Sequence, residues 1–460
     1  MRSLRAALAG GLAACLLLAP ARPALATNAT NLIGYSAASS AMGGTDAASF
    51  LDSSAINSNP ATLSLLPTPG DRDPVSLFSA GRMDMGLGVL GPFLHHEDSF
   101  NNSRDGENEP LLALHGGGAV RLRGLPEVTF GLGMFSQGGL GTDYRSLNTA
   151  FGTVDDVSSY LRYVKLAAAV SWQATERFAV GLAPHVGYSD LSLRLFPKTS
   201  SNGPDGAPGT ADDFPGIDMS NECSRNFGLG VPGGTCPWDV VFGVRAGAVY
   251  RLSPQVTLGA SYNSPVHFNY HGGRMKLNFS NVGLGRVGYD SEVDGFTWPQ
   301  SAEAGIAVRP TPRLLLGLDV AWHDWSAFNK IVIRASNPDQ PGAPARVRIP
   351  IQADWHDQWV VSVGAAYDVV PDVFTVRGGY NFGNNQVPAR NLSPAVCVIY
   401  EHHLSAGVGY RPDRHLQFDL AFTYALENKV TYTNTGMPFG PNAVNSPAGL
   451  QVDLTLGYRF

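Results

Sequence analysis

The carboxy-terminal stretch constrains the fold more than any other part of the chain. Leu450, Val452, Leu454, Leu456, Tyr458 and Phe460 alternate with Gln451, Asp453, Thr455, Gly457 and Arg459. A period of two puts the apolar set on one face of a strand and the polar set on the other. In a soluble sandwich that apolar face meets a core, and in a membrane barrel it meets lipid, so one strand alone does not choose between them.

Repetition does. The pattern recurs at Leu314, Leu316, Leu318, Val320 and Trp322, at Trp359, Val361, Val363, Ala365 and Tyr367, and at Leu416, Phe418, Leu420, Phe422, Tyr424 and Leu426. Beyond residue 26 no apolar run reaches the roughly 18 residues a membrane helix needs, so a membrane would have to be crossed by strands. Charged residues make up 15% of the chain, against about 25% in a typical soluble domain. Glycine, at 53 residues, and aromatics, at 10%, are abundant, as expected where the lipid-facing signal is spread over many short strands.

Fourteen candidate strands follow, among them 75–90, 127–136, 176–196, 255–279, 296–309, 313–335, 354–369 and 449–460. Short connections, such as Gln173 to Glu176 and Arg411 to Arg414, alternate with long irregular ones, the asymmetry of outer-membrane barrels. Trp172, Tyr250, Tyr367, Tyr410 and Tyr458 stand beside the short turns or the chain end, where an aromatic girdle would meet lipid headgroups. The expected fold is all-β: a transmembrane antiparallel β-barrel of about 14 strands with a small N-terminal hatch in the lumen.

Three segments precede or interrupt that pattern. Residues 1–26 carry Arg2 and Arg5, an apolar run and Ala24-Leu25-Ala26, the features of a cleaved signal peptide. Residues 27–74 are rich in small residues and broken by glycine and proline, too few to bury a core alone, and a lumen wider than side chains fill is their natural place. Residues 75–460 form the barrel, with a long outer-loop insertion near 197–238. In that insertion Asn202 to Asp213 is oxygen-rich but lacks the spacing and closing glutamate of an EF-hand, so it reads as a solvated loop. Cys223 and Cys236 are the candidate disulfide pair, which leaves Cys397 unmatched.

The ordered series of short motifs resembles the FadL-type family of outer-membrane long-chain fatty-acid and hydrophobic-compound transporters. Ala41-Met42-Gly43-Gly44 and Asn59-Pro60-Ala61 resemble its N-terminal hatch. Tyr262-Asn263-Ser264-Pro265, Trp298-Pro299-Gln300-Ser301, Trp355-His356-Asp357 and Arg377-Gly378-Gly379-Tyr380 match its barrel in order. The resemblance implies an apolar pocket beside the hatch and a third strand kinked to open the wall laterally. Gly138 and Gly139, just past strand 127–136, are the lateral-gap candidates, since glycine permits a bulge. The 197–238 insertion departs from simple members of the family.

A fatty-acid cargo would need a cation or donors for its carboxylate. Alternation points Lys165, Arg245 and Arg377 inward, where they could serve, or could simply pair with inward Asp319, Asp419 and Asp453. No catalytic residue, metal ligand or cofactor is indicated: His-Glu-x-x-His, Gly-x-Ser-x-Gly and Walker motifs are missing. Gly-x-Gly-x-x-Gly occurs from Gly86, Gly228 and Gly283, none opening a βαβ unit. A net charge of -6 gives no reason to expect nucleic acid, and nothing demands more than a monomer.

The expected function is passive transport of hydrophobic small molecules, with fatty-acid-like cargo and outer-membrane lipid as partners. An adhesin or receptor acting through its loops, a general porin, and a lipid hydrolase using His403 and Ser405 are the alternatives. The segment 27–74 disfavours the porin because it would block the pore.

Overall fold

The computed structural model describes residues 27–67, 77–107, 109–203, 206–210, 213–219, 236–434 and 438–460. The proposed signal peptide and Cys223 lie outside the described residues.

Among the described residues, twenty-one strands form one continuous antiparallel sheet. It closes where Ala448–Arg459 pairs with Phe78–Phe93, in register from Ala448 opposite Phe93 to Arg459 opposite Arg82. Phe460 completes the seam, exchanging backbone hydrogen bonds with Gly81 and setting its ring edge-on to Phe78.

Burial settles which face meets lipid. Leu454 and Leu456 are 54% and 46% exposed, whereas Asp453 and Thr455 are each 3% exposed. The same inversion holds around the ring, with Leu132, Leu182, Phe242, Leu318, Val363, Leu404 and Phe418 turned outward. An apolar band of that extent is a lipid-facing surface. Trp172, Tyr250, Tyr367, Tyr410 and Tyr458 are exposed at the short-turn end of the barrel, where an interfacial girdle belongs.

The expected count of fourteen strands is corrected. Segment 255–279 is two strands, Val256–Asn263 and Val266–Phe279, parted at Ser264-Pro265, where proline cannot donate to the ladder. Segment 313–335 likewise divides into Leu314–His323 and Lys330–Ser336. Gly285–Trp298 and Arg346–Gln352 were not expected at all. These strands pair into hairpins that extend the sheet at its long-loop end. The insertion is also more regular than expected, because Phe214–Met219 pairs with both Phe178–Ser201 and Val266–Phe279.

Cys236 is disulfide-bonded. Cys397 is a buried free thiol, and burial pushes it up to about 12.

Candidate functional site

Residues 27–67 sit inside the ring and are buried almost throughout. A five-residue helix, Ala37–Ala41, is capped by Ser36, whose side chain accepts from the Ser39 N–H. Its Ala37 N–H donates to Thr455 Oγ1 at 3.0 Å. In Asn59-Pro60-Ala61 the Asn59 side chain caps a 3-10 helix by accepting from the Ala61 N–H. Its Nδ2 donates to Ala47 O at 2.6 Å and to Ala248 O, on the barrel wall, at 3.2 Å. Wall glycines make this close seating possible. A Cβ on Gly247 would strike Asn59, and one on Gly379 would strike the backbone of Met42 and Gly43.

The third strand of the ring spans Val128–Asn148, longer than the expected 127–136. Its register with Val154–Gln173 shifts between Ser136 and Gly138. Gly138 has φ of 155°, and a Cβ there would overlap the Thr30 carbonyl. Asn31 bridges to Gly138, and the Gly139 N–H donates to Thr30 O at 2.8 Å. Both lateral-gap candidates therefore lie at a bulge in the third strand, which stays paired to Val154–Gln173 and is contacted from within by residues 30 and 31.

A cavity of 140 Å³ lies beside this bulge, lined in part by Ser136, Gly138 and Gly139. Leu32, Leu90, Leu111, Leu140, Leu161 and Tyr163 give it a largely apolar lining. A second cavity of 80 Å³ lies on the other side of the same segment, lined by polar groups including Asn28, Ser58, Asp46, Arg245, Asn263, Glu303, Asp319 and Asn381. Asp46, in the luminal segment rather than in a crossing strand, is pushed up to about 7 by burial and then by the neighbouring Glu303 carboxylate.

The three candidate cations differ. Arg377 pairs with Asp419 at 2.8 Å. Arg245 pairs with Glu303 at 3.4 Å and donates to Asn57 O. Lys165 is 1% exposed and has no carboxylate within ion-pair distance among the described residues. Its ammonium donates to Asn263 Oδ1 at 3.3 Å and lies 5.4 Å from the Tyr163 ring centroid. Tyr163 lines the apolar cavity and Asn263 the polar one. Sequence reasoning missed Glu303. The only signal was one acidic residue on the inward face of an otherwise small-residue strand.

From Tyr163 a chain of rings runs toward the long-loop end: Trp298 at 4.8 Å, then Trp325 at 6.0 Å and Trp355 at 5.0 Å between successive centroids. Ser405 Oγ lies 3.0 Å from Thr423 Oγ1, and no hydrogen bond joins it to His403 among the described residues. The serine-histidine arrangement a lipid hydrolase would need is not formed by that pair.

A lipid-faced closed sheet, a lumen occupied by the chain's own N-terminal segment and a cavity beside a bulge in the wall define an outer-membrane β-barrel channel. Residues 19–455 match the family described as outer membrane protein transport protein (OMPP1/FadL/TodX). The chain belongs to this family of outer-membrane transport proteins. The chain spans about half the length of the curated relatives it matches. An uncharacterized protein from the phosphoenolpyruvate carboxykinase gene 5' region of Chlorobium limicola is 36% identical over 127 residues, 27% of this chain and 54% of that one. The long-chain fatty acid transport protein of Escherichia coli is 23% identical over 203 residues, 42% of this chain and 44% of that one.

Solved structures share the fold. The Pseudomonas putida toluene transporter TodX superposes with TM-score 0.69 at 22% identity, covering 93% of this chain and 99% of that one. A Pseudomonas aeruginosa FadL homologue superposes with TM-score 0.72 at 16% identity, covering 94% and 99%.

Proposed function

We propose that the protein carries long-chain fatty acids passively across the outer membrane. The observation that carries this reading is Lys165, a buried side chain whose amine has, among the described residues, an amide oxygen and a ring face for partners. An unpaired buried charge is costly, and a fatty acid brings the carboxylate that would offset it while its tail occupies the leucine-lined cavity. In this reading residues 27–74 act as a hatch. Cargo enters from the long-loop end, displaces residues 30 and 31 from Gly138 and Gly139, and leaves through the gap in the third strand. Arg245 and Arg377 are already paired with Glu303 and Asp419 and in this reading do not hold cargo.

A second reading, aromatic hydrocarbons, is favoured by the rings of Tyr163, Trp298, Trp325 and Trp355, which offer faces and edges to a flat apolar molecule. Mass spectrometry of small molecules co-purified from native membranes, followed by uptake in cells with and without the protein, tests both. A bound acid whose uptake requires the protein supports the first reading, and a bound hydrocarbon supports the second. An empty barrel with no effect on uptake would move the function to the outer loops as an adhesin or receptor.

A further inference from the structure

Asp46 of the luminal segment meets Glu303 and Asp319 of the wall, with one carboxylate oxygen from each lying within 4.8 Å of the others. Asp46 and Asp319 are 5% and 3% exposed. Arg245 sets a single guanidinium against the three, at 3.4 Å from Glu303. His323 and Tyr35 also line the cavity, and neither adds a fixed positive charge. Two buried carboxylates and a part-buried one face this one cation; the Ser39 hydroxyl donates to Asp46 at 2.6 Å and the Ala47 N–H to Asp319 at 2.9 Å, and further positive charge, protons or a metal ion, would offset what these neutral donors leave.

A second, independent observation points to an ion. The 80 Å³ cavity these carboxylates line is also lined by almost wholly buried residues whose side-chain oxygens have no protein partner among the described residues. Asn381, 2% exposed, donates through Nδ2 to Ser362 Oγ at 2.8 Å and to Gly43 O at 3.3 Å. Those bonds fix the amide's orientation and leave Oδ1 unmatched. Ser58 Oγ and Asn28 Oδ1 are unmatched in the same cavity. The space exceeds the roughly 10–15 Å³ one water needs.

We propose that this cavity binds a calcium ion, held by Asp46, Glu303 and Asp319, that clamps the luminal segment to the barrel wall. The donor set is all oxygen, mixes charged and neutral groups and comes from separate elements, which suits the irregular coordination of Ca²⁺ better than the rigid octahedron of Mg²⁺ or the N/S preference of transition metals. One divalent ion balances what Arg245 leaves uncompensated. The clamp is independent of what the barrel carries.

Terbium(III) is the probe, because Trp298 and Tyr35 line the same cavity and would sensitise its emission. The full chain, folded in detergent and stripped with EDTA, should bind Tb³⁺ with sensitised emission that Ca²⁺ displaces. Asp319→Asn and Glu303→Gln should each weaken that binding by about tenfold or more. Thermal unfolding separates the ion from simple repulsion. Without Ca²⁺ Asp319→Asn should melt at or above the wild type, whereas Glu303→Gln also removes the partner of Arg245 and should melt lower; with Ca²⁺ only the wild type should shift upward. Emission unchanged in both variants would place the ion in the acidic outer loops and overturn the proposal. So would the lack of any Ca²⁺-dependent shift in the wild type, which would leave protons and water in the cavity.

Discussion

Replacing Lys165 by methionine isolates the part of the transport reading that distinguishes an acid from a neutral hydrocarbon. Methionine keeps most of the side-chain volume and removes the ammonium. The lysine is 1% exposed and forms no ion pair among the described residues, so fold stability should stay level or rise, as it does when buried charge gives way to well-packed apolar groups. Cargo affinity should move the other way. A hydrogen bond to a charged partner contributes about 1.5–3 kcal/mol, equivalent to about 10- to 150-fold in Kd. Calorimetry on the detergent-folded barrel, with a long-chain acid and its methyl ester as matched ligands, separates head from tail. The wild type should prefer the acid, and Lys165→Met should bind acid and ester alike at the wild type's ester affinity. Wild-type protein that binds both equally, or a variant that keeps the preference, refutes the role of Lys165.

Gly138→Val should slow uptake several-fold while the barrel stays folded by heat-modifiable migration. Its Cβ would overlap the Thr30 carbonyl, a local overpacking of about 1–3 kcal/mol, so unchanged uptake would argue against the lateral gap. Asn59→Ala removes a helix cap, at about 0.5–2 kcal/mol, and leaves the Ala47 and Ala248 carbonyls without their donor. Residues 27–67 should then be cleaved faster by added protease, and equal protection would show that the motif does not anchor the segment. Asp46 gives a pH dependence. Its folded-state value is raised by burial and Glu303, with Asp319 and Arg245 also facing it, so its contribution is fully present below the ordinary aspartate value of about 4. That contribution is lost as pH rises through about 7. In divalent-free buffer, protease protection of the segment should decline over that range in the wild type and stay flat in Asp46→Asn.

Alternation carried most of the architecture because lipid enforces it. Wherever a strand crosses the bilayer its outward residues must be apolar, and Leu454, Leu456 and Tyr458 show it. Gly285–Trp298 escaped notice because its buried residues, Val287, Tyr289 and Val293, alternate with Arg286, Asp290, Glu292 and Asp294. That outward face is polar and lacks the apolar stripe by which the crossing strands were found. Within the site, alternation turned Lys165, Arg245 and Arg377 inward correctly, but partners depend on register across strands. Arg245 lies level with Asn263 and Ser301, two residues along the strand from Glu303, whereas Asp319 is one strand further away, opposite Gly305. Nothing in a single sequence states that alignment. The Asn59 motif was legible as a signature, whereas its physical content, a cap that also bonds the wall, needed the wall glycines in place.

The two cavities share a partition. Leu32 lines both, Thr27 lines the apolar one, and Asn28 and Asn31 line the polar one. Asn31 is fixed on both flanks, accepting from Gln137 Nε2 at 2.9 Å beside the kink and from Trp298 Nε1 at 3.1 Å. Any cargo large enough to push residues 30 to 32 away from Gly138 must therefore break these bonds and open the apolar space toward Asp46, Glu303 and Asp319. An acid entering there would meet like charge and be repelled unless protons or a cation neutralise it, while Lys165, bonded to Asn263 at the boundary, attracts the same headgroup toward the wall. With no ion in the polar cavity, opposed charges on either side of one short partition would hold the carboxylate near Lys165 and leave its tail pointing at the bulge in the third strand, the orientation that lateral exit into lipid requires; with the ion bound, Lys165 alone would set that orientation.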